Sequence, residues 1–316
     1  MDGGRTVEFH CKDILEWTKQ EFGNEIYRNS WTLEAKMDTS EGARIFSDPS
    51  NSDGWIDQQN LIQERHGEDT YVVPIVLYSD KTRVNDKGLN IYPIRAALLS
   101  VDYEKRTQCQ TEMGFIPIPT FPNNISEKEK RKQRLAFLHT CIEFFLAPLK
   151  HASAFVHSWQ DPNGVTRKVV PRVILWVGDN PEQCDMTLVK HKHCPICLIK
   201  KTDLNTMGEK GASRRVRDHK EIVELAEKGK HCKKLAEERA EELAVHIQEC
   251  ALHGFADEDF SPPYQWFTYE ELHDHEQGTF LYIVNTIKDV LRSGIDGTER
   301  MLNQKMTTLN SRLIQD

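Results

Sequence analysis

Short apolar runs bounded by polar residues punctuate this chain, and one longer stretch carries apolar residues at helical spacing. Val72–Asp80 (VVPIVLYSD) and Val170–Asp179 (VPRVILWVGD) are rich in β-branched residues, and each ends on an aspartate. Runs of this length and composition fit strands in a sheet interior better than helices. After a turn around Asn85–Asn90 the pattern predicts a second strand at Tyr92–Val101. A short third follows at Phe115–Ile118, closed by Pro117, Pro119 and Pro122. Within Lys130–Leu149, the residues Leu135, Leu138, Ile142, Phe145 and Leu149 repeat with helical period, and Pro148 marks the predicted end. Residues 1–70 are mixed and polar, with a predicted helix near Lys12–Phe22, then short strands and loops, and aromatics at Trp17, Trp31 and Trp55. Beyond Asp179 the character changes. A cysteine pair precedes a highly charged helix-forming stretch, Asp218–Leu252, then a loop over Gly254–Pro263 and further helices over Tyr269–Arg292 and Gly297–Arg312.

The order is therefore three strands, a helix and a strand, with one aspartate ending the first strand and one following the fourth. A carboxylate where a buried strand meets solvent is costly unless a partner or a metal compensates it. Two of them on neighbouring strands make a divalent-metal site of the kind that supports phosphoryl transfer on nucleic acid. The bland alternative is that each merely ends its strand. The β-β-β-α-β order matches a ribonuclease H-like core, in which these positions carry the first two metal ligands. The expected class is α/β: an N-terminal mixed region (1–70), the first part of the core (71–183) and a mainly helical zinc-containing insertion (184–316).

Charge changes this picture little. The 316-residue chain has a net charge of −8, which argues against a uniformly basic nucleic-acid binder. Basic clusters at Lys128–Arg134, Lys190–Lys201 and Arg214–Lys220 can still meet phosphate, although solvated helix faces explain such runs equally well. No apolar run reaches the roughly 20 residues of a membrane span, so no membrane partner is expected. The N-terminal MDGGRTVEFHCKD has no apolar signal region, which makes an intracellular protein with reduced thiols the expectation for its eight cysteines.

Cys194-Pro-Ile-Cys197 is a CxxC knuckle whose tight turn lets two thiolates reach one tetrahedral ion, usually zinc. A redox pair or two unligated cysteines are the alternatives. Candidate further ligands are His191, His193, His219, Cys232, Cys250, His253 and His273, with His219 favoured because it opens the next predicted helix.

Several segments together carry a resemblance: VVPIVLYSDKT (Val72–Thr82), FLHTCIEFFLAPLK (Phe137–Lys150), VILWVGDNPEQC (Val173–Cys184), HCPICLIKKTDL (His193–Leu204), RRVRDHKEIVELA (Arg214–Ala226) and YEELHDHEQG (Tyr269–Gly278). In this order they resemble Plavaka-type transposases, fungal elements related to the CACTA and Kyakuja-Dileera-Zisupton groups. The resemblance implies a DDE-type nuclease that cuts and joins DNA with two Mg²⁺ or Mn²⁺ ions, with transposon ends as partner, a nuclear location and a homo-oligomer as one compatible assembly. It makes Asp80 the first acid and Asp179 the second, both metal ligands, and Lys81 beside Asp80 a candidate phosphate contact. It matches Cys194 and Cys197, with His219, to a zinc-binding insertion. His273 matches a motif histidine whose role stays open among hydrogen-bond donor, Zn²⁺ ligand and DNA contact, and Glu270 stands where the motif has aspartate. The family's third acid lies on a later helix. Glu276, Glu299 and Asp316 do not stand there, so a C-terminally truncated and inactive transposase is one expectation. The alternatives are a non-catalytic, zinc-stabilised remnant that binds DNA or protein, and a zinc-dependent interaction module without a nucleic-acid role.

Overall fold

A computed structural model of the chain describes residues 7–45, 48–84, 90–191, 193–199, 217–256 and 262–268. Its helices, in chain order, are α1 (Ile14–Phe22), α2 (Asp53–His66), α3 (Tyr103–Gln108), α4 (Glu127–Ala152), α5 (Asn180–Met186), α6 (His219–His231) and α7 (Lys233–Glu242). Its strands are β1 (Asp38–Ser40), β2 (Ala43–Ile45), β3 (Thr70–Ser79), β4 (Thr82–Arg83), β5 (Asn90–Ile91), β6 (Pro93–Leu98), β7 (Thr111–Phe115), β8 (His157–Gln160), β9 (Thr166–Val177) and β10 (Phe267–Thr268).

The main sheet is mixed, in the order β10-β9-β3-β6-β7. β6 runs antiparallel to both β3 and β7, whereas β9 runs parallel to β3 and β10 parallel to β9. β8 pairs with the start of β9 and β10 with its end. From β7 the chain crosses through α4 and β8 to enter β9, which lies parallel beside β3. Alternate residues of β3 divide between two cores. Val73, Ile75 and Leu77 pack with α1 and α4, while Val72 and Val76 pack with Trp55 and Ile62 of α2. Burial on both faces explains why β3 and β9 are nearly continuous apolar runs.

The strands ending at Ser79 and Val177 lie where the pattern predicts, and the elements around them differ from it. Helix α2 falls in a region expected to hold only short strands and loops beyond the first helix. Its inward face is half polar: Trp55, Gln58, Gln59 and Ile62 are buried. The Gln59 amide donates to Thr70 O and accepts from Val72 N, both at 2.9 Å, and so caps the start of β3. The third strand is Thr111–Phe115, which ends on the first residue of the predicted Phe115–Ile118 segment. It sits against the N-terminal segment at Gly114, where an added Cβ would meet His10 O at 2.8 Å. Helix α4 continues through Pro148 to Ala152. The bond that Pro148 forgoes is to the carbonyl of Phe144, a residue 65% exposed, so water can serve that carbonyl. The charged stretch Asp218–Leu252 is two helices broken at Cys232, followed by irregular chain. The helices expected over 269–312, together with His273, Glu276, Glu299 and Asp316, lie outside the described residues.

Candidate active site

The register of the two central parallel strands is the feature that matters most. Tyr78 pairs with Val177, and continuing that register sets Ser79 opposite Gly178 and Asp80 opposite Asp179, one residue beyond the end of β3 and two beyond the end of β9. The two acids leave adjacent strands at the same level and at the same edge of the sheet. In open α/β sheets this carboxyl edge of parallel strands is where ligands bind.

Each acid also has local work. Asp80 is exposed, and Thr82 Oγ1 donates to its Oδ2 at 2.7 Å. Asp179 is the N-cap of α5, its Oδ1 accepting from Glu182 N at 2.8 Å. Pro181 in the first turn lacks the N–H that would go unpaired there. One carboxylate oxygen of each residue is thus held by a local bond. Lys81 is exposed beside Asp80.

A third carboxylate, which the sequence reading did not single out, lies beneath this edge. Glu182 is 6% exposed, and its Oε1 is buried without a hydrogen-bond partner. Burial raises its pKa to about 8. Asp179 and Asp80 add to the rise, while hydrogen bonds from the Ser79 and Tyr92 hydroxyls oppose it. Ser79 Oγ accepts from Trp176 Nε1 at 2.7 Å, which leaves the Ser79 hydroxyl proton for Glu182. Burial, with Glu182 as neighbour, moves the Tyr92 phenol well above its usual value. The sequence signal was available: Asp179-Asn-Pro-Glu182 has the spacing of a capping box, in which the glutamate reaches back to the N-cap amide. Here only the forward half of that box forms.

The cysteine knuckle is a separate centre. Cys197 N donates to Cys194 Sγ at 3.4 Å. The Cys194 thiol is pulled down to about 6, first by a hydrogen bond from Cys197, then by the amides of Cys197 and Ile196 and by Arg217. Arg217, also unanticipated, ties the knuckle to the start of α6. Its Nε donates to Cys194 O at 2.8 Å, its Nη1 to Leu243 O at 2.5 Å, and its backbone N to Ile196 O at 3.0 Å. His219, two residues on, is buried in the first turn of α6. Its ring centroid is 5.3 Å from that of Tyr264 and 6.0 Å from that of His253. Cys250 is buried next to Tyr264. Of the other candidates, His191 bonds Asp185 at 2.7 Å, His193 bonds Lys190 O at 3.2 Å, and Cys232 is exposed at the α6–α7 break. As they stand, no three His, Cys, Asp or Glu side chains among the described residues are gathered closely enough to hold a metal ion.

The fold is that of a mixed α/β protein whose two strand-end aspartates leave adjacent parallel strands at one edge of the sheet. A family model described as Plavaka transposase matches residues 3–287, a span that contains the whole sheet and both centres, and the chain belongs to that family. Membership implies a transposon-derived transposase, with DNA as the partner class. A comparison with curated proteins gives no match. No helix among the described residues is long and apolar enough to cross a membrane.

Proposed function

We propose that this protein is a DDE-type transposase that cleaves and joins DNA strands at transposon ends, acting in the nucleus. Asp80 and Asp179 are the first two acids of its metal site. The observation that carries this is the β3–β9 register, which sets both residues side by side at one sheet edge. The strand order, with α4 inserted before the second acid-bearing strand, supports a ribonuclease H-like core.

The two aspartates offer carboxylate oxygens, which suit a hard cation. Bound divalent ions would supply neutralisation of the phosphodiester and activation of the attacking hydroxyl. The chain's own contribution is positional. The parallel ladder fixes the spacing of the acids, the α5 cap fixes the rotamer of Asp179, and Thr82 does the same for Asp80. Lys81 is free to meet a backbone phosphate. The test is divalent-metal-dependent nicking of DNA by the full chain. Loss of nicking in both Asp80→Ala and Asp179→Ala supports the site, and unchanged nicking in either removes it.

The second centre is a zinc site in the same reading, with Cys194, Cys197 and His219 as ligands. The lowered Cys194 thiol supports this, because zinc binds thiolate. Elemental analysis of the purified chain tests it: one zinc per chain, absent in Cys194→Ser, is expected, and a metal-free chain would remove it. A non-catalytic, DNA-binding remnant is the second reading. What favours it is that each aspartate already has a structural partner, Thr82 or the α5 cap. DNA binding without nicking, indifferent to either aspartate, would establish it.

A further inference from the structure

We infer that Arg131 and His246 form an anion site that takes a phosphate of the DNA backbone, an inference that rests on DNA as the partner. β6 runs antiparallel to both β3 and β7, so β7 is parallel to β3 and leaves the sheet at the same edge. Ser79 pairs with Ile94, and Phe115 with the adjacent Pro93, which sets the ends of β3 and β7 level. The chain then enters α4, which runs back to deliver β8 beside the start of β9. The first turns of α4 therefore stand towards the edge that carries Asp80 and Asp179.

Those turns are basic, with five Lys or Arg residues and two Glu over Glu127–Arg134. Most of that charge belongs to a solvated face or is already met. Lys128, Lys132 and Arg134 are exposed, and Lys130 Nζ donates to Glu127 at 2.8 Å. Arg131 differs. It is half-buried, one turn before Leu135 and two before Leu138, on the inward face of the helix. Its Nη2 is buried without a hydrogen-bond partner, and no ion pair joins it to a carboxylate among the described residues. A buried charged donor left unserved is costly and unusual in a folded protein.

A second unserved donor comes from the chain after α7. His246 N donates to Leu188 O at 2.8 Å and Lys190 N to Ala244 O at 2.7 Å, either side of the Val189–Val245 bridge. Ala251 N donates to His139 Nδ1 at 2.9 Å, which lays this segment against α4. His246 Nε2 is buried without a partner, as is Gln248 Nε2 two residues on. Burial lowers the His246 pKa to about 4, Arg131 and Lys190 add to the fall, and Asp185 opposes it. The imidazole is thus neutral at pH 7, with a proton to offer from Nε2, in surroundings that are positive on balance. The acids nearby are engaged, Asp185 with His191 at 2.7 Å and Glu241 with Lys190. One unmet guanidinium beside neutral donors complements a singly charged phosphodiester.

The test is binding of the full chain to two labelled DNA duplexes of unrelated sequence, by fluorescence anisotropy over a range of salt and without added Mg²⁺ or Mn²⁺. The proteins compared are wild type, Arg131→Gln, Arg131→Met, His246→Ala and, as a control on the exposed face of α7, Lys234→Gln. Arg131→Met keeps the apolar stem should the glutamine variant fold poorly. Each Arg131 variant with a wild-type circular dichroism spectrum is expected to bind both duplexes about tenfold more weakly. It should also lose about one from the slope of log affinity against log salt. His246→Ala removes a neutral donor and should weaken both complexes about threefold with the slope kept, and Lys234→Gln should match wild type. Wild-type affinity and slope in the Arg131 variants, or an equal loss in Lys234→Gln, would overturn the site and leave DNA as the partner. Wild-type affinity in His246→Ala would remove His246 from it. Loss for one duplex alone would make Arg131 a base contact and overturn the phosphate assignment. Displacement of the duplexes by inorganic phosphate at matched ionic strength would assign the site to the free ion instead. No binding of either duplex by wild type at low salt would overturn both this site and the DNA partner.

Discussion

The strand-end acids and the cysteine knuckle are built in opposite ways. At the sheet edge, two parallel strands set the spacing through their backbone register, since a one-residue slip would turn the side chains of the shifted strand to the other face. At the knuckle, candidate ligands arrive from separate, irregular segments: the turn at Cys194–Cys197, the first turn of α6, and the chain around Cys250 and His253. Buried Arg217 ties the knuckle to α6 and to the end of α7 through the carbonyls of Cys194 and Leu243, beside an apolar cluster that includes Ile222, Leu225 and Tyr264. The sheet site is positioned by the backbone, and the helical site by side chains.

The largest effect that separates the two regions is expected from Arg217→Ala. It strands the buried carbonyls of Cys194 and Leu243, at about 4 kcal/mol in all. Urea unfolding followed by near-ultraviolet dichroism measures the loss. Amide exchange should show it concentrated in α6 and α7, with β3 and β9 still protected. Equal deprotection of the sheet would erase the distinction.

The next effect concerns the joint between the regions. His139 of α4 is buried, its Nδ1 accepting from Ala251 N at 2.9 Å and its Nε2 donating to Asp185 O at 3.0 Å. Burial lowers its pKa from 6.5 to about 4, with Lys150 adding to the fall and Asp185 opposing it. The unfolded chain therefore takes up this proton first as pH falls. Stability from neutral His139 is whole above about 6.5 and is lost on descending towards about 4, at about 3 kcal/mol. Unfolding free energies for wild type and His139→Gln across this range should converge as pH falls. Parallel pH profiles would show that His139 is not the group responsible.

The smallest effects lie within the acid pair. Asp179→Ala removes a helix cap and should cost about 1 kcal/mol, most of it recovered in Asp179→Ser. Asp80→Ala, at an exposed position bonded only locally, should fall within about 0.5 kcal/mol of wild type. Thermal melts of the three variants decide this. Equal costs for the two alanine changes would mean that Asp80 carries structural work that its one bond to Thr82 does not show.

The same contrast explains what could be read from the sequence. β3 and β9 were legible because burial on both faces writes an unbroken apolar run, and α4 because nine of its residues turn inward at helical spacing. Helix α2 was not, since Gln58 and Gln59 occupy its inward face and bond the backbone there. β8 and β10 are short pieces at the two ends of one strand edge, with no period long enough to register. Asp80 and Asp179 were visible as the polar ends of apolar runs. Glu182 was not singled out, because it has the spacing of a capping-box residue and only its burial separates it from one. Arg217 sits in a charged run, RRVRDHK, where nothing marks one arginine as interior.

The most direct test of the acid pair is the position of a bound ion. Crystals of the full chain soaked in Mn²⁺ are expected to show an anomalous scattering peak at the carboxyl edge of β3 and β9, with oxygens of both Asp80 and Asp179 as ligands. Ordered density for both side chains with no peak between them, or with manganese bound elsewhere, would contradict the account.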